Sequence, residues 1–343
     1  MQRITAVALA KGYRPIVYYR NYLKYGSKKP EMPTLDIKTI GMNFSFNSGI
    51  VFYLSFNLKL FLKLLFKPAD KYYAVDSDTL PAFTILSYLK GVPLIYDAHE
   101  YFCEVPELRG QNFKKKIWDH VTRMGVRRSV NRITVGKRLA DELSKRYSKH
   151  FLCLRNVPSN PVAYPENNYS RPTIVYQGAL NKGRELELLI EAMKTLSEMD
   201  CLIAGEGDLS ESLRNKASGL PNVKFLGLLS PNELKRMTPG CFAGFNLLND
   251  EGSLSYHFSL SNKYFDYIHA GVPSVSSFLP EYEELNSTDN CGICIENTAE
   301  SLVKTMRNWM NHPEDYQKLK ENTIIAKERY NWETEKMVLD EVF

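Results

Sequence analysis

The stretch Leu260-Ser-Asn-Lys-Tyr-Phe-Asp-Tyr-Ile-His-Ala-Gly-Val-Pro-Ser-Val-Ser-Ser-Phe-Leu-Pro-Glu281 decides the fold. It reads as a helix start at Ser261, a short helix, a stop at Gly271 with Pro273 behind it, and a strand over 272–276. A helix start presents unpaired backbone N–H groups and a partial positive charge, which suits phosphate. Lys263 falls in the first turn, where the helix dipole disfavours a cation. That conflict is resolved if the lysine faces an anion. Asp266 lies about one turn further on, where it would accept hydrogen bonds from sugar hydroxyls.

The same strand–helix alternation runs along the whole chain. Outward from this stretch, strands are expected at 15–19, 72–75, 93–96, 132–135, 151–154, 173–176, 201–204, 223–226 and 242–247. Helices are expected between most of them, among them 184–197 and 299–311. Such alternation builds parallel sheets with helices on both faces. The turn-rich 155–161 and polar 164–171 mark a boundary. The expectation is two doubly wound Rossmann-like domains facing a cleft, 1–158 and 159–330, with 331–343 a helix crossing back to the first. Ligands of such sheets sit at the carboxyl ends of strands. One oddity stands at the front. Residues 3–11 read as a helix ended by Gly12, ahead of the strand at Pro15, so the first strand of the N-terminal domain is expected to be missing.

The 343 residues have a net charge of +5, which hides an asymmetry. Residues 1–158 carry 27 Lys+Arg against 12 Asp+Glu, leaving 17 against 27 for the rest. A basic front half favours anionic lipid or phosphate on that side. No nucleic-acid partner is expected. Cys291 and Cys294 form a lone C-x-x-C, read as a reduced structural pair rather than a metal site. No run is long and apolar enough to span a bilayer. Residues 51–67 and 113–128 read as helices packed on the first sheet. The basic flank of the second, with Lys114, Lys115 and Lys116, adds attraction to an anionic membrane surface.

Three further segments carry candidate chemistry. Gly178-Ala-Leu-Asn-Lys-Gly-Arg184 is a glycine loop between a strand and a helix, where Lys182 and Arg184 would meet two phosphate charges. Gly205-Glu-Gly207, with Glu206 and Gly207 toward a nucleotide, follows the next strand. It lacks the third glycine of a dinucleotide fingerprint. In the front half, Asp97-Ala-His-Glu100 closes a buried strand and places His99 and Glu100 at its carboxyl end, where His99 would hydrogen-bond or exchange a proton with a sugar hydroxyl. Asp76 and Asp78 are read as caps of the helix that follows.

Taken together, Gly178–Arg184, Gly205–Gly207, Ser261–Asp266 with Gly271-Val-Pro273, and Asp97–Glu100 resemble the retaining, nucleotide-sugar-dependent glycosyltransferases of GT-B fold, family 4 type, over nearly the whole chain. The resemblance implies transfer of a sugar from a nucleoside-diphosphate sugar to a glycan or lipid-linked acceptor, in polysaccharide biosynthesis. The location it suggests is cytoplasmic, at the inner membrane face. It implies His99 and Glu100 as catalytic residues. Gly178, Lys182, Arg184, Glu206, Gly207, Leu260, Ser261, Asn262, Lys263 and Asp266 would hold the donor, with amides of 260–262 on the diphosphate. The nucleotide sugar is substrate; no metal or other cofactor is implied. The chain departs from the family pattern at Phe258, where the first of two glutamates often stands, at Asp266 for the second, at Ala179 for an arginine and at Val75 for a histidine. A non-catalytic nucleotide-sugar-binding relative and a sugar-nucleotide epimerase are the competing readings.

Overall fold

The computed structural model describes residues 2–21, 37–44, 49–159 and 167–343. Parts of the expected linker at 155–161 and 164–171 lie outside them. The chain divides into two compact units, Met1–Leu154 with Lys336–Phe343, and Arg155–Glu335.

The first unit runs α1 (Gln2–Ala10), β1 (Ile16–Arg20), β2 (Lys38–Met42), α2 (Gly49–Leu65), β3 (Tyr72–Val75), α3 (Asp76–Lys90), β4 (Leu94–Ala98), α4 (Asn112–Arg128), β5 (Asn131–Thr134), α5 (Lys137–Tyr147) and β6 (Leu152–Cys153). Its strands are all parallel but form two sheets, β1–β2 and β3–β4–β5–β6. Every residue of β4 is buried, as expected of a strand covered on both faces. In α2 the buried positions are Phe52, Phe56, Leu60 and Leu64, a four-residue repeat that lays one stripe on the core. The opposite stripe is also apolar: Ile50, Leu54, Leu58 and Leu62 are exposed.

The second unit runs β7 (Thr173–Gln177), α6 (Leu186–Thr195), β8 (Asp200–Ala204), α7 (Ser210–Lys216), β9 (Val223–Gly227), α8 (Pro231–Met237), β10 (Ala243–Asn246), α9 (Leu254–His257), α10 (Asn262–His269), β11 (Ser274–Ser277), α11 (Pro280–Asp289), β12 (Gly292–Ile295), α12 (Ala299–Asn311), α13 (Pro313–Arg329) and α14 (Trp332–Glu335). Its six strands form one parallel sheet in the order β12–β11–β10–β7–β8–β9. Side chains alternate across β7: Ile174 and Tyr176 join a core with α6 and α12, while Val175 joins Leu202, Tyr267 and Val272 on the other face. Each such fully buried side chain contributes about 1.5–3 kcal/mol.

Two expectations need correction. Strands β2 and β12 were not expected; Lys38-Thr-Ile-Gly-Met42 is too polar, and Gly292-Ile-Cys-Ile295 too short, to stand out. The helix expected over 331–343 is a single turn, α14, followed by a tight 3-10 segment at Lys336–Asp340. The tighter winding buries Leu339, with Val342 buried beyond it, in the first unit. Ser55, Lys59 and Lys63, four residues apart, form a narrow polar stripe beside the exposed apolar one on α2.

Candidate functional site

In the second unit the site is built around the start of α10. Gly244 lets Tyr267 lie flat on β10; a Cβ there would come within 2.4 Å of the Tyr267 ring. The Tyr267 hydroxyl donates to the carbonyls of Val175 and Phe245, which pins α10 to the sheet. At its far end Gly271 takes φ +71° and Val272 N–H reaches back to Tyr267 C=O, closing the helix as its glycine foretold.

Ser261 holds the N-cap position, but its hydroxyl does not cap the helix. It donates instead to Asn246 Oδ1 at 2.7 Å, and its own N–H goes to the Tyr282 hydroxyl at 2.9 Å. The buried side chains of Asn246 at the end of β10 and of Tyr282 on α11 outcompete the local cap. This corrects the expectation that the Ser261 amide is available to phosphate. Among the described residues, no hydrogen-bond acceptor meets the amides of Asn262 and Lys263. No acid lies in the first turn of α10.

Lys263 is 9% exposed, and its ammonium sits 4.5 Å from the centroid of the Tyr176 ring. Burial, with repulsion from Arg184 second, lowers its pKa to about 7. Among the described residues no carboxylate pairs with it. Arg184 is half-buried, with its guanidinium 5.4 Å from the Tyr256 ring centroid, and among the described residues no carboxylate pairs with it. Two cations held together without a counter-charge, beside unbonded helix N–H groups, make a site for a multivalent anion.

The glycine loops back this site. Gly178 has φ +144° and a Cβ on it would lie 3.5 Å from the Lys263 side chain. Gly205 and Gly207 serve the loops themselves. A Cβ on Gly205 would meet the Gly178 carbonyl oxygen at 1.8 Å, and one on Gly207 the Asn181 side chain at 2.4 Å. Gly178 N–H bonds to Ala204 C=O and Leu180 N–H to Glu206 C=O, so the two loops interlock.

Not every expected residue converges here. Lys182 is 82% exposed and pairs with Glu251 at 3.5 Å, so the clamp holds two cations rather than three. The Glu206 carboxylate is taken by Arg214 at 2.5 Å, and the Ser210 hydroxyl and Arg214 hold its pKa below the usual range. Asp266 accepts from Gln177 Nε2 at 3.0 Å, and Thr238 in turn donates to Gln177. Leu260 and Asn262 flank Ser261 at the helix entrance.

The first unit gathers a separate cluster at the ends of β3 and β4. His99 Nε2 lies 3.1 Å from Asp97 Oδ2, and the Tyr73 hydroxyl donates to the same oxygen at 2.7 Å. The hydrogen bond to Asp97 raises the His99 pKa against the opposing effect of burial. Asp97 thus orients the ring through Nε2. Asp76 does not cap α3. It sits inside the helix with φ +56°, and its Oδ1 accepts the His99 N–H at 2.8 Å. The Asp78 carboxylate accepts from the backbone N–H groups of Asp78 and Thr79 in the first turn of α3, while burial, then repulsion from Asp76, raises its pKa to about 7. Glu100 is exposed as a whole residue, yet desolvation of its carboxyl by the surrounding protein, then repulsion from Asp76 and Glu107, raises its pKa to about 7. The sequence reading took Asp76 for a cap and gave Asp97 no role of its own; both hold His99. The spacing Asp97-x-His99, an acid at the end of a strand and a histidine just past it, was the available signal.

These two α/β units are the GT-B fold. Residues 171–312 match the family model described as glycosyl transferases group 1. A GDP-mannose-dependent alpha-(1-6)-phosphatidylinositol dimannoside mannosyltransferase of Mycobacterium tuberculosis is 25% identical over 168 residues, 47% of this chain and 42% of that protein. The match therefore spans less than half the length of that relative. Among solved structures, Alr3699/HepE of Anabaena in complex with UDP and glucose is similar at TM-score 0.75 and 14% identity, over 99% of this chain and 95% of that one. Sucrose-phosphate synthase of Thermosynechococcus elongatus is similar at TM-score 0.78 and 12% identity, over 99% and 90%.

Proposed function

We propose that the chain is a glycosyltransferase that moves a sugar from a nucleoside-diphosphate sugar to a glycan or lipid-linked acceptor, with retention of configuration. The observation that carries this reading is the buried Lys263 at the start of α10, beside Arg184 and without a counter-acid. In glycosyl transfer, negative charge builds on the departing diphosphate. Donors fixed in advance around that charge lower the barrier, each by roughly 2.7–4 kcal/mol. Lys263, Arg184 and the amides of Asn262 and Lys263 are such donors. Asp266 is assigned to the donor's ribose and the glycine loops to close backbone approach.

His99, oriented by Asp97, is assigned to a sugar hydroxyl, with Glu100 its neighbouring acid. The basic charge of the first half, and the exposed apolar stripe of α2, support an acceptor met at an anionic membrane, on the inner face. No described helix is long and apolar enough to cross a membrane. The match to family model and to a mannosyltransferase supports the reaction class; the UDP complex of the structural relative supports the donor class. The replacement of an expected glutamate by Phe258 favours a second reading, binding without transfer.

The test is release of nucleoside diphosphate from a panel of UDP- and GDP-sugars offered with candidate acceptors. Turnover that falls at least about a hundredfold in Arg184→Ala and Lys263→Ala is expected. Turnover unchanged in both removes the assigned site, and binding without any turnover selects the second reading.

A further inference from the structure

The two cations of the anion site are held by aromatic rings rather than by acids. The Lys263 ammonium lies 4.5 Å from the centroid of the Tyr176 ring, and the Arg184 guanidinium 5.4 Å from that of Tyr256. Both fall within the roughly 6 Å over which a ring face attracts a cation. Other ring-held arginines in this chain have an acid as well. Arg146 lies by the Tyr101 ring and pairs with Asp119, Arg155 lies by Tyr330 and pairs with Glu335, and Arg214 lies by Phe225 and pairs with Glu206. Among the described residues, no carboxylate joins Lys263 or Arg184. The difference is chemical. A carboxylate cancels a cation's charge and takes its donors. A ring face attracts through its quadrupole and leaves the charge and the N–H groups to a ligand.

A weak holder must be fixed in advance, and both rings are. Tyr176 is fully buried in β7. Its ring meets Phe245 edge to face at 6.3 Å, and its hydroxyl donates to Ala179 C=O at 2.6 Å. That bond ties it to the glycine loop, where a Cβ on Gly178 would stand 3.3 Å from the hydroxyl and 3.5 Å from the Lys263 side chain. Tyr176 thus fixes the loop with its hydroxyl and the lysine with its ring. Lys263 is buried, and cation–ring attraction is largest where water is excluded. Tyr256 belongs to α9, whose N-cap Ser253 accepts the Tyr256 N–H. A Cβ on Gly183 would stand 3.2 Å from its ring, so the glycine lets it pack against the turn that carries Arg184.

We propose that Tyr176 and Tyr256 are positioning residues of the diphosphate site, the first acting through Lys263 and the second through Arg184. Their role rests on the donor site proposed above. The rings touch no reacting atom. They hold two like charges side by side, and a diphosphate supplies the counter-charge. An acid at either place would compete with that ligand. Because the rings act on the phosphates alone, their contribution is the same whatever nucleoside is attached.

In the full chain, Tyr176→Phe keeps the ring and Tyr176→Leu removes it. Lys263 is titrated by NMR through its ε-carbon, with Lys263→Met identifying the signal. Binding of UDP and of inorganic pyrophosphate is measured by calorimetry. The ring face favours the charged ammonium, so Tyr176→Leu should lower the Lys263 pKa by about one and weaken both ligands roughly tenfold at pH 7. Tyr176→Phe should keep the wild-type pKa and lose less affinity for both ligands than Tyr176→Leu. If Tyr176→Leu fails to fold, pentafluorophenylalanine incorporated in place of Tyr176 keeps the ring's shape while reversing its charge distribution, and the same fall in pKa is expected. At the half-buried Tyr256, Tyr256→Leu should weaken both ligands more than Tyr256→Phe. A Lys263 pKa equal in the two Tyr176 variants overturns the proposal, and so does a loss confined to UDP. A wild type that binds neither ligand removes the donor site itself, a failure told apart from the other two because in those the wild type binds.

Discussion

Lys263 states the account at the scale of one side chain. Its folded pKa is lowered from 10.5 to about 7, mainly by burial. Between those values the unfolded chain binds a proton that the folded chain does not, so stability rises with pH from about 7 to 10.5, and the full penalty is present below 7. Lys263→Met removes that penalty. It should raise Tm at pH 7 while abolishing binding of nucleoside diphosphate, and it should flatten the rise of Tm between pH 7 and 10. A lysine kept for packing alone would lose stability on this substitution; one kept for an anion loses binding and gains stability. In the first unit, the Asp97→Asn exchange leaves burial to act on His99 without the carboxylate that holds its pKa up. The His99 pKa, read from its ring protons by NMR titration, should fall below that of the wild type. Any acidic limb of turnover governed by neutral His99 should shift to lower pH with it. Wild-type titration in the variant would show that Asp97 does not orient this ring.

Between residue and domain stand the interlocked loops. The Gly205 Cβ position lies 1.8 Å from the Gly178 carbonyl oxygen, backbone against backbone, and Gly205 has φ +144°. Gly205→Ala should therefore cost at least about 3 kcal/mol in urea unfolding and weaken diphosphate binding by shifting the Gly178 loop from behind Lys263. The elements that present the site were legible in the sequence because their signals are local. The glycine stop at Gly271, the alternation of strand and helix, and the first-turn Lys263 each depend only on neighbours in the chain. What was not legible depended on partners far away in sequence. Ser261 has the residue type of a cap, yet Asn246 and Tyr282 claim its hydroxyl and its amide. Lys182 and Arg184 look equivalent two residues apart, but Glu251 takes the first. Asp76 looks like a cap and instead supports His99 from a left-handed backbone conformation. Glu206 fits a nucleotide contact by position, while Arg214, about one turn into the next helix, draws it away.

Across the whole molecule, charge and apolar surface are distributed unevenly. The first half holds the positive balance, and within it α2 exposes Ile50, Leu54, Leu58 and Leu62 while Phe113 of α4 is 76% exposed beside Lys114 and Lys116. Lys115, by contrast, is paired with Glu104 at 2.7 Å. The account expects sedimentation with anionic phosphatidylglycerol vesicles that weakens with salt. Removing both free lysines as Lys114→Gln and Lys116→Gln should weaken it by roughly 2 kcal/mol, about thirtyfold. Binding to neutral phosphatidylcholine vesicles as strong as to anionic ones would remove charge from the explanation.

The most direct test of the anion site is isothermal titration calorimetry of UDP and GDP with the wild type, Arg184→Ala and Lys263→Met, in buffers of different ionisation enthalpy. The account predicts binding of at least one nucleotide by the wild type and a loss of at least tenfold in each variant. It also predicts uptake of a proton on binding above pH 7 that disappears in Lys263→Met, because the bound diphosphate draws the buried ammonium back to its charged form. Equal affinity in all three proteins, or binding without proton uptake at pH 8, would contradict it.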